Sequence, residues 1–359
     1  MRASLGLLAS WCGGTVAGNA DTVVTSVGND TRSFTPGGLY VAIRGTSFDG
    51  HNFVRAARDA GAVAALVERA DALDGMPGIV VDNVTTALSR MANAFRKSTS
   101  IPWIAITGSN GKTSTREMLR AVLESRGPIA CSIRSYNNQL GVPLTILNTP
   151  DNAWAAIVEV GTSAPGEIAA LARIVEPTIA IITSIGHTHL EGLQTCMGVA
   201  TEKASLFSFL PHNGLAVFPA GPEYFEIFRG RTPCHFRTFS LTDCASIQAQ
   251  DIYPEKEGMH FRAWDTVFRM PVLGRHNVSN ALPVIVVADW LGILPNQTAE
   301  RLSSYQGIAQ RLQVRRFGSI TVIDDTFNAN PDSMEAGIDA LMTVPATRHV
   351  AILGAMLGL

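Results

Sequence analysis

The chain has 359 residues, 46% of them hydrophobic and 16% charged, which is enough apolar matter for two or three cores and excludes a solvated tail or linker. Its net charge of −2 comes without basic runs, which argues against a nucleic-acid surface, because phosphate contacts need clustered Lys and Arg. The five cysteines, Cys12, Cys131, Cys196, Cys234 and Cys244, are odd in number and lack C-x-x-C spacing, so they indicate neither a disulfide framework nor a zinc knuckle and point to a reducing cytoplasm.

In chain order, the opening twelve residues superficially resemble a secretion signal with one positive charge. The apolar core is short and bulky Trp11 falls in the candidate cleavage region, so an opening helix is the expected reading. Residues 20 to 98 read as a small α/β module: turn and strand over 37–43, helix over 52–60, strand over 62–68. Ser98-Thr-Ser-Ile-Pro102 has linker composition, and a strand at 104–106 follows at once. From there strands and helices alternate: strand 155–160, helix 166–175, strand 178–184, helix 197–210, strand 215–218. This rhythm predicts a doubly wound, mostly parallel α/β sheet. The stretch 219–270, rich in Pro, aromatic and polar residues, is expected to be irregular or β-rich. A helix after Asn277 and a unit from about 307, with a strand at 320–323, complete the chain. The longest apolar stretch, 281–294, contains Asp289 and falls short of the roughly 20 residues that a membrane span needs, so a soluble protein is expected. The division is thus 1–98, 99–306 and 307–359, with no internal repeat.

The stretch Trp103-Ile-Ala-Ile-Thr-Gly-Ser-Asn-Gly-Lys-Thr-Ser-Thr115 carries the strongest chemistry. Gly108 and Gly111 let backbone N–H groups turn toward phosphate oxygens, and the helix that starts near Thr113 adds its positive pole. Lys112 can then bridge terminal phosphates, and the Thr113 hydroxyl can ligate Mg²⁺. The common G-x-x-x-x-G-K-[ST] pattern wants glycine at 106, where this chain has Ile106, so the match is to a shorter T-G-x-x-G-K-T form. A chance GK[ST] in a loop is the competing reading, and the strand before and helix after weigh against it.

Ligands of open α/β sheets bind beyond the carboxyl ends of the strands. Glu159 ends strand 155–160, and His187 and His189 follow strand 178–184, so all three are expected to project toward the phosphate loop. A carboxylate and an imidazole there suit a phosphate-bound cation. Taken alone, Glu159 is also readable as a helix cap or salt-bridge carboxylate. The histidine pair is also readable as a solvated loop or a lone zinc site, which would want a third ligand that the spacing does not offer. Lys203 shares a helix face with Val199, Leu206 and Phe207, so its stem is expected to be buried. Burial disfavours the charged amine and leaves a neutral group able to react with CO₂. Periodicity alone favours an ordinary snorkelling lysine.

With those residues in place the chain resembles the Mur ligase family, the ATP-dependent amide-forming enzymes of peptidoglycan synthesis, from about residue 25 to its end. The family's phosphate loop is the short form seen at 107–113. The resemblance implies that Glu159, in Val-Glu-Val-Gly161, is a metal-binding glutamate and that His189 is a metal-side histidine. It implies that Lys203 is the lysine carbamylated in the family. It further implies an ATP site built from Gly108, Ser109, Asn110, Gly111, Lys112, Thr113 and Ser114. Asn277 and Asn280 of Gly274-Arg-His-Asn-Val-Ser-Asn280 line the adenine, and Arg311 and Asp325 reach the nucleotide from the third domain. The same resemblance implies that Lys112, Glu159, His189 and Lys203 carry catalysis and that Thr113, Glu159, His189 and carbamylated Lys203 hold Mg²⁺.

Two segments narrow the resemblance to the member that adds D-alanyl-D-alanine to UDP-N-acetylmuramoyl-tripeptide. Asp324-Asp-Thr-Phe-Asn-Ala-Asn-Pro-Asp-Ser-Met334 is close to its D-D-S-Y-N-A-N-P-D-S-M, whereas the member adding the third peptide residue carries D-Y-A-H-x-P. The first domain, through Asn29-Asp-Thr-Arg32 and 37–51, resembles the UDP-binding module of these two members, which gives Asp30, Thr31 and Arg32 as substrate contacts. Asn137 and Asn138 belong to a similar substrate segment in which Gln139 replaces the usual glutamate. The implied architecture is a small α/β UDP-binding domain, a central P-loop domain and the start of a Rossmann-like third domain, in a monomer with neither nucleic-acid nor membrane partners. The implied reaction runs through an acyl phosphate. Departures are Ser163 and Ser184 where asparagine is usual, and Ala355 and Gly358 in place of two acidic residues. The chain stops at Leu359, where the family's third domain runs on, so a truncated closing domain is expected. That shortening keeps a non-catalytic nucleotide- or UDP-sugar-binding protein in view, and an unrelated P-loop ATPase or kinase is the other rival.

Overall fold

The computed structural model describes residues 1–133, 136–255 and 258–356; the departure at Gly358 lies outside them. Two compact units emerge. The first comprises 1–103, 128–158 and 171–176, and the second comprises 104–127, 159–170 and 177–359.

In the first unit, Ser4 caps the helix Leu5–Cys12 by accepting from the Leu7 N–H, and Gly13 ends it with φ 73°. A five-stranded sheet runs in the order Thr15–Ala17, Gly78–Val80, Ala64–Val67, Leu39–Val41, Val27–Gly28, parallel except for the first pairing. The inner strands Leu39–Val41 and Ala64–Val67 are wholly buried and read as unbroken apolar runs because both faces are covered. Tyr40, Val54, Ala57, Val67 and Leu73 form one side of that core. Two elements that periodicity did not announce also belong here, the strand Ile129–Cys131 and the wholly buried helix Gly141–Leu147. Both are too short to show a period of their own.

The second unit holds the alternating elements. Strands Trp103–Thr107, Ile179–Ile182, Leu215–Pro219, His235–Ser240 and Ile247–Glu255 lie side by side in that order, all parallel. Two antiparallel strands, Gly258–Ala263 and Thr266–Met270, extend the row. The stretch expected to be irregular or β-rich is therefore mostly regular sheet, after a helix at Pro222–Arg231. Proline at that helix's start, where no N–H partner is lost, is what the composition reading overlooked. The helix expected after Asn277 begins at Arg275 and runs to Trp290.

From 307 on, still within the second unit, Gln313–Phe317 pairs antiparallel with Ile320–Asp324 across a turn at Gly318. Helix Pro331–Thr343 follows, opened by a reciprocal cap between Asn330 and Ser333. Among the described residues no helix is long and apolar enough to cross a membrane.

One glycine of the first unit is fixed by close approach. A Cβ on Gly50 would stand 2.6 Å from both N and O of Ile43, so backbone, not a movable side chain, would have to shift. Gly50→Ala is expected to destabilise this unit by about 1–3 kcal/mol, the usual cost of overpacking; a thermal denaturation midpoint equal to that of the wild type would contradict it.

Candidate functional site

The strand Trp103–Thr107 is fully buried and delivers the chain into the phosphate loop. Gly108 has φ 152°, and a Cβ there would stand 1.9 Å from the Thr183 hydroxyl. Gly111 has φ 84°, and its Cβ would stand 2.0 Å from Oδ1 of Asn280. Backbone shape and lack of room thus both require glycine at these two positions. The helix Lys112–Leu123 begins immediately after, with Gly111 as its cap, so its first N–H groups open on the loop.

Lys112 folds across the loop and donates from Nζ to the carbonyls of Gly108 at 2.6 Å and Ser109 at 3.2 Å. Burial lowers its pKa and the Glu159 carboxylate opposes that shift. The loop is braced from the neighbouring strand end. Ser109 accepts from the Gly186 N–H, and Asn110 donates its N–H to the Ser184 hydroxyl at 2.9 Å. Serine at 184, a departure from the family's asparagine, is therefore engaged with the loop backbone.

Glu159 ends the strand Ala155–Glu159 and is 2% exposed. Its Oε2 accepts from the Thr113 hydroxyl at 3.2 Å and from Nη1 of Arg116 at 3.0 Å. The carboxylate and the hydroxyl expected to share a cation thus meet. Two hard oxygens, with nucleotide phosphates and waters to complete the shell, suit Mg²⁺, which takes few protein ligands and keeps its waters.

Lys203 is 2% exposed, and its amine has no hydrogen-bond or ion-pair partner among the described residues. Burial first, and then the positive charge of Lys112, push its pKa down to about 7. The stem is buried, as its helix face led one to expect. Its neighbour Glu202 is differently employed, accepting from the N–H groups of Gly166 and Ile168 at 2.8 Å each. That bond caps the helix Glu167–Val175.

His189 adopts the left-handed conformation, φ 57°. Its pKa is lowered by burial and by the charges of Lys203 and Lys112, which places the three groups within electrostatic reach. His187 turns elsewhere. Its N–H donates to Oδ2 of Asp332 at 2.9 Å, and its Nδ1 lies 3.2 Å from Oδ1 of the same carboxylate.

The remaining expected contacts divide. Asn277 donates to the Leu273 carbonyl at 2.7 Å, and the backbone carbonyl of Asn280 accepts from the buried Thr115 hydroxyl. Both side chains are buried, Asn280 against Gly111 of the loop and Asn277 beneath Asn280, whose amide donates to its Oδ1 at 3.4 Å. Arg311 lies over the ring of Phe327, 4.3 Å from its centroid, and feels the charges of Glu159 and Asp325. Asp325 accepts from the Leu312 N–H. In the first unit, Arg32 forks onto Asp30 at 2.9 and 2.7 Å, which holds that carboxyl at about 2. Thr31 opens the short helix that Asp30 caps. Asn138 accepts from the N–H groups of Leu140 and Gly141.

Arg116 is not singled out by the sequence, and Asn330 and Asp332 lie in the quoted 324–334 segment without a role assigned to them. Arg116 is buried beside Glu159. Asn330 exchanges amide hydrogen bonds with Asn110, at 2.7 and 3.3 Å. Asp332 holds the loop at Gly186 and His187. Asn330 thus ties the start of the helix Pro331–Thr343 to the phosphate loop, and Asp332 ties it to the loop that braces Ser109. The polar spacing 113, 116, 117, 120 on one helix face was the available signal for Arg116.

Comparison with known proteins bears on this arrangement. A model described as the Mur ligase middle domain matches residues 106–288, and one described as the Mur ligase family, catalytic domain, matches 23–96. The UDP-N-acetylmuramoyl-tripeptide–D-alanyl-D-alanine ligase of Bacillus subtilis is 34% identical over 94% of this chain and 75% of its own length. The Escherichia coli protein of the same name is 31% identical over 94% and 76%. A crystal structure of MurF from Acinetobacter baumannii superposes with TM-score 0.87 at 28% identity, covering 96% of this chain and 77% of that one. The MurF ligase of Thermotoga maritima, solved with ADP, has TM-score 0.80 at 24% identity over 90% and 75%, a likeness of fold.

Gly111→Ala is expected to remove nucleotide binding, since the added methyl meets Asn280 and the αL backbone is lost together. Equilibrium binding of a fluorescent ADP analogue checks it, and an affinity equal to the wild type's would show that this turn does not cradle phosphate.

Proposed function

The chain belongs to the Mur ligase family, and on that footing we propose that it joins D-alanyl-D-alanine to UDP-N-acetylmuramoyl-tripeptide at the expense of ATP, a step of peptidoglycan synthesis in the cytoplasm. The observation that carries the reading is the meeting of Lys112, Thr113 and Glu159 at one helix N-terminus. The relatives that span most of this chain bear that activity in their names.

The peptide carboxylate and the γ-phosphate are both anions, so the first task is to let them meet. Lys112 and the N–H groups of 108–114 offset the charge of the triphosphate and hold its terminal group in line. Thr113 and Glu159 would hold Mg²⁺, which would supply charge neutralisation on the triphosphate. Attack of the carboxylate oxygen on the γ-phosphorus breaks the bond to the β-γ bridging oxygen and gives an acyl phosphate and ADP. The dipeptide amine then attacks the acyl carbon and expels phosphate. His189 and Lys203 are assigned to a second cation: the neutral Lys203 amine would take up CO₂ and lose a proton, and the resulting carbamate would supply an anionic oxygen beside the His189 imidazole.

Asn277 and Asn280 with Arg311 and Asp325 frame the nucleotide from two sides. Ser109, Asn110 and Ser114 complete the phosphate loop, and the ties of Asn330 to it and of Asp332 to the loop that braces Ser109 keep water from the acyl phosphate. Asp30, Thr31 and Arg32, with Asn137 and Asn138, hold the UDP-linked peptide. The functional division is 1–98 for that substrate, 99–306 for ATP and 307–359 for closure, in a monomer.

Phosphate release with UDP-N-acetylmuramoyl-tripeptide, measured with and without D-alanyl-D-alanine, tests the reading. Release that requires both substrates is the expected result; release without the UDP-linked peptide would mark an unrelated ATPase, and nucleotide binding without release a non-catalytic binder. Lys112→Ala is expected to lower turnover by at least about 10²-fold, the scale of losing one transition-state charge contact. Undiminished ligation by that variant would overturn the assignment.

A further inference from the structure

The helix Lys112–Leu123 carries a polar stripe as well as an apolar one. Thr113, Arg116, Glu117 and Arg120 stand at i, i+3, i+4 and i+7 and so share a face. Their contacts form a chain. Arg120 donates to Glu117 from Nη1 at 3.4 Å. Glu117 Oε1 accepts twice from Arg116, from Nε at 3.0 Å and Nη2 at 2.7 Å. The third nitrogen of the same guanidinium, Nη1, donates to Glu159 Oε2 at 3.0 Å. Exposure falls along this chain, from 47% for the Arg120 side chain through 22% for Glu117 to 4% for Arg116 and 2% for Glu159.

The geometry points to Arg116 as a positioning residue: its guanidinium, its plane set by Glu117, holds the Glu159 carboxylate where that carboxylate and Thr113 can take a nucleotide-bound divalent cation. The inference rests on the reading of Thr113 and Glu159 as the cation's oxygens. Two physical points support it. A buried carboxylate without a compensating partner is costly, and a planar donor fork fixes an acceptor's direction in a way that an ammonium does not. Outer partners of this kind tune cation affinity while leaving the ligand set unchanged. A purely structural ion pair would support the loop with or without the cation, and that difference can be measured.

The experiment titrates the full chain with a fluorescent ADP analogue in EDTA and at rising MgCl₂, for the wild type, Arg116→Met, Arg116→Lys and Glu159→Gln. For Arg116→Met the half-saturating Mg²⁺ concentration is expected to rise about 10-fold, within the range typical of outer-shell partners, with binding in EDTA unchanged. Arg116→Lys keeps the charge without the fork and is expected to fall between. A wild-type Mg²⁺ response of Arg116→Met, beside a shifted response of Glu159→Gln, overturns the inference and leaves the site reading intact. Equal loss in EDTA and in Mg²⁺ also overturns it, since Arg116 would then be a general support. If Glu159→Gln leaves the Mg²⁺ response unchanged, the underlying site reading fails instead. Should Arg116→Met lose its cooperative thermal transition, a folded Arg116→Lys decides, and a wild-type response from it overturns the inference.

Discussion

A carboxylate that is 2% exposed at the end of a wholly apolar strand is the constraint around which the second unit is organised. Glu159 cannot be left unpaired there, because desolvating an ion costs several kcal/mol. The helix Lys112–Leu123 supplies the pairing. Thr113 and Arg116 bond the carboxylate directly, and the charges of Lys112 and Arg311 feel it as well. That helix can bring its first turn so close only because the loop before it is made of glycines that tolerate contact with Thr183 and Asn280. The phosphate loop and the buried acid are therefore mutually dependent, and a substitution in one is a perturbation of the other.

Cations gather at the same place, and they act on one another. Burial first, and then the charge of Lys112, depresses the pKa of Lys203, and burial followed by both lysine charges depresses that of His189. Each of these groups is more easily neutral than its free counterpart. A site that is to receive a polyanion is stable beforehand only if some of its positive charge is offset or removed. Here Glu159 offsets part of it, and burial removes more.

What the sequence made legible followed from periodicity and from motif. The alternating apolar strands and helices, the glycine positions of the loop, and the fall of Glu159 at a strand end were all readable, because each is a local pattern with one physical cause. The burial of Lys203 was half readable. Its helix face announced an apolar setting, but whether a four-carbon stem reaches water depends on what packs above it, which no local pattern carries. Arg116 was missed for a related reason. A polar i, i+3, i+4, i+7 stripe on a helix usually faces solvent, and only the approach of a strand end from elsewhere in the chain turns it inward. The strands Ile129–Cys131 and Gln313–Phe317 were not legible because the first is a three-residue run without a chemical motif beside it and the second carries Gln and two Arg, so neither shows the apolar run that marked the others.

The helix Pro331–Thr343 shows how far a single cap can be made to serve. Asn330 satisfies the Ser333 N–H at 2.9 Å, as an N-cap should. The same side-chain amide exchanges hydrogen bonds with Asn110, two residues before the phosphate-loop lysine. Two residues on, Asp332 takes the His187 N–H at 2.9 Å and sets its carboxylate against Gly186. An aspartate in a first turn is favoured by the helix dipole in any protein. In this one that carboxylate sits against the loop that follows strand Ile179–Ile182, which also braces Ser109. A displacement of this helix therefore alters the bracing of the phosphate loop through the Asn330–Asn110 amide pair and the Asp332 carboxylate on the His187 N–H.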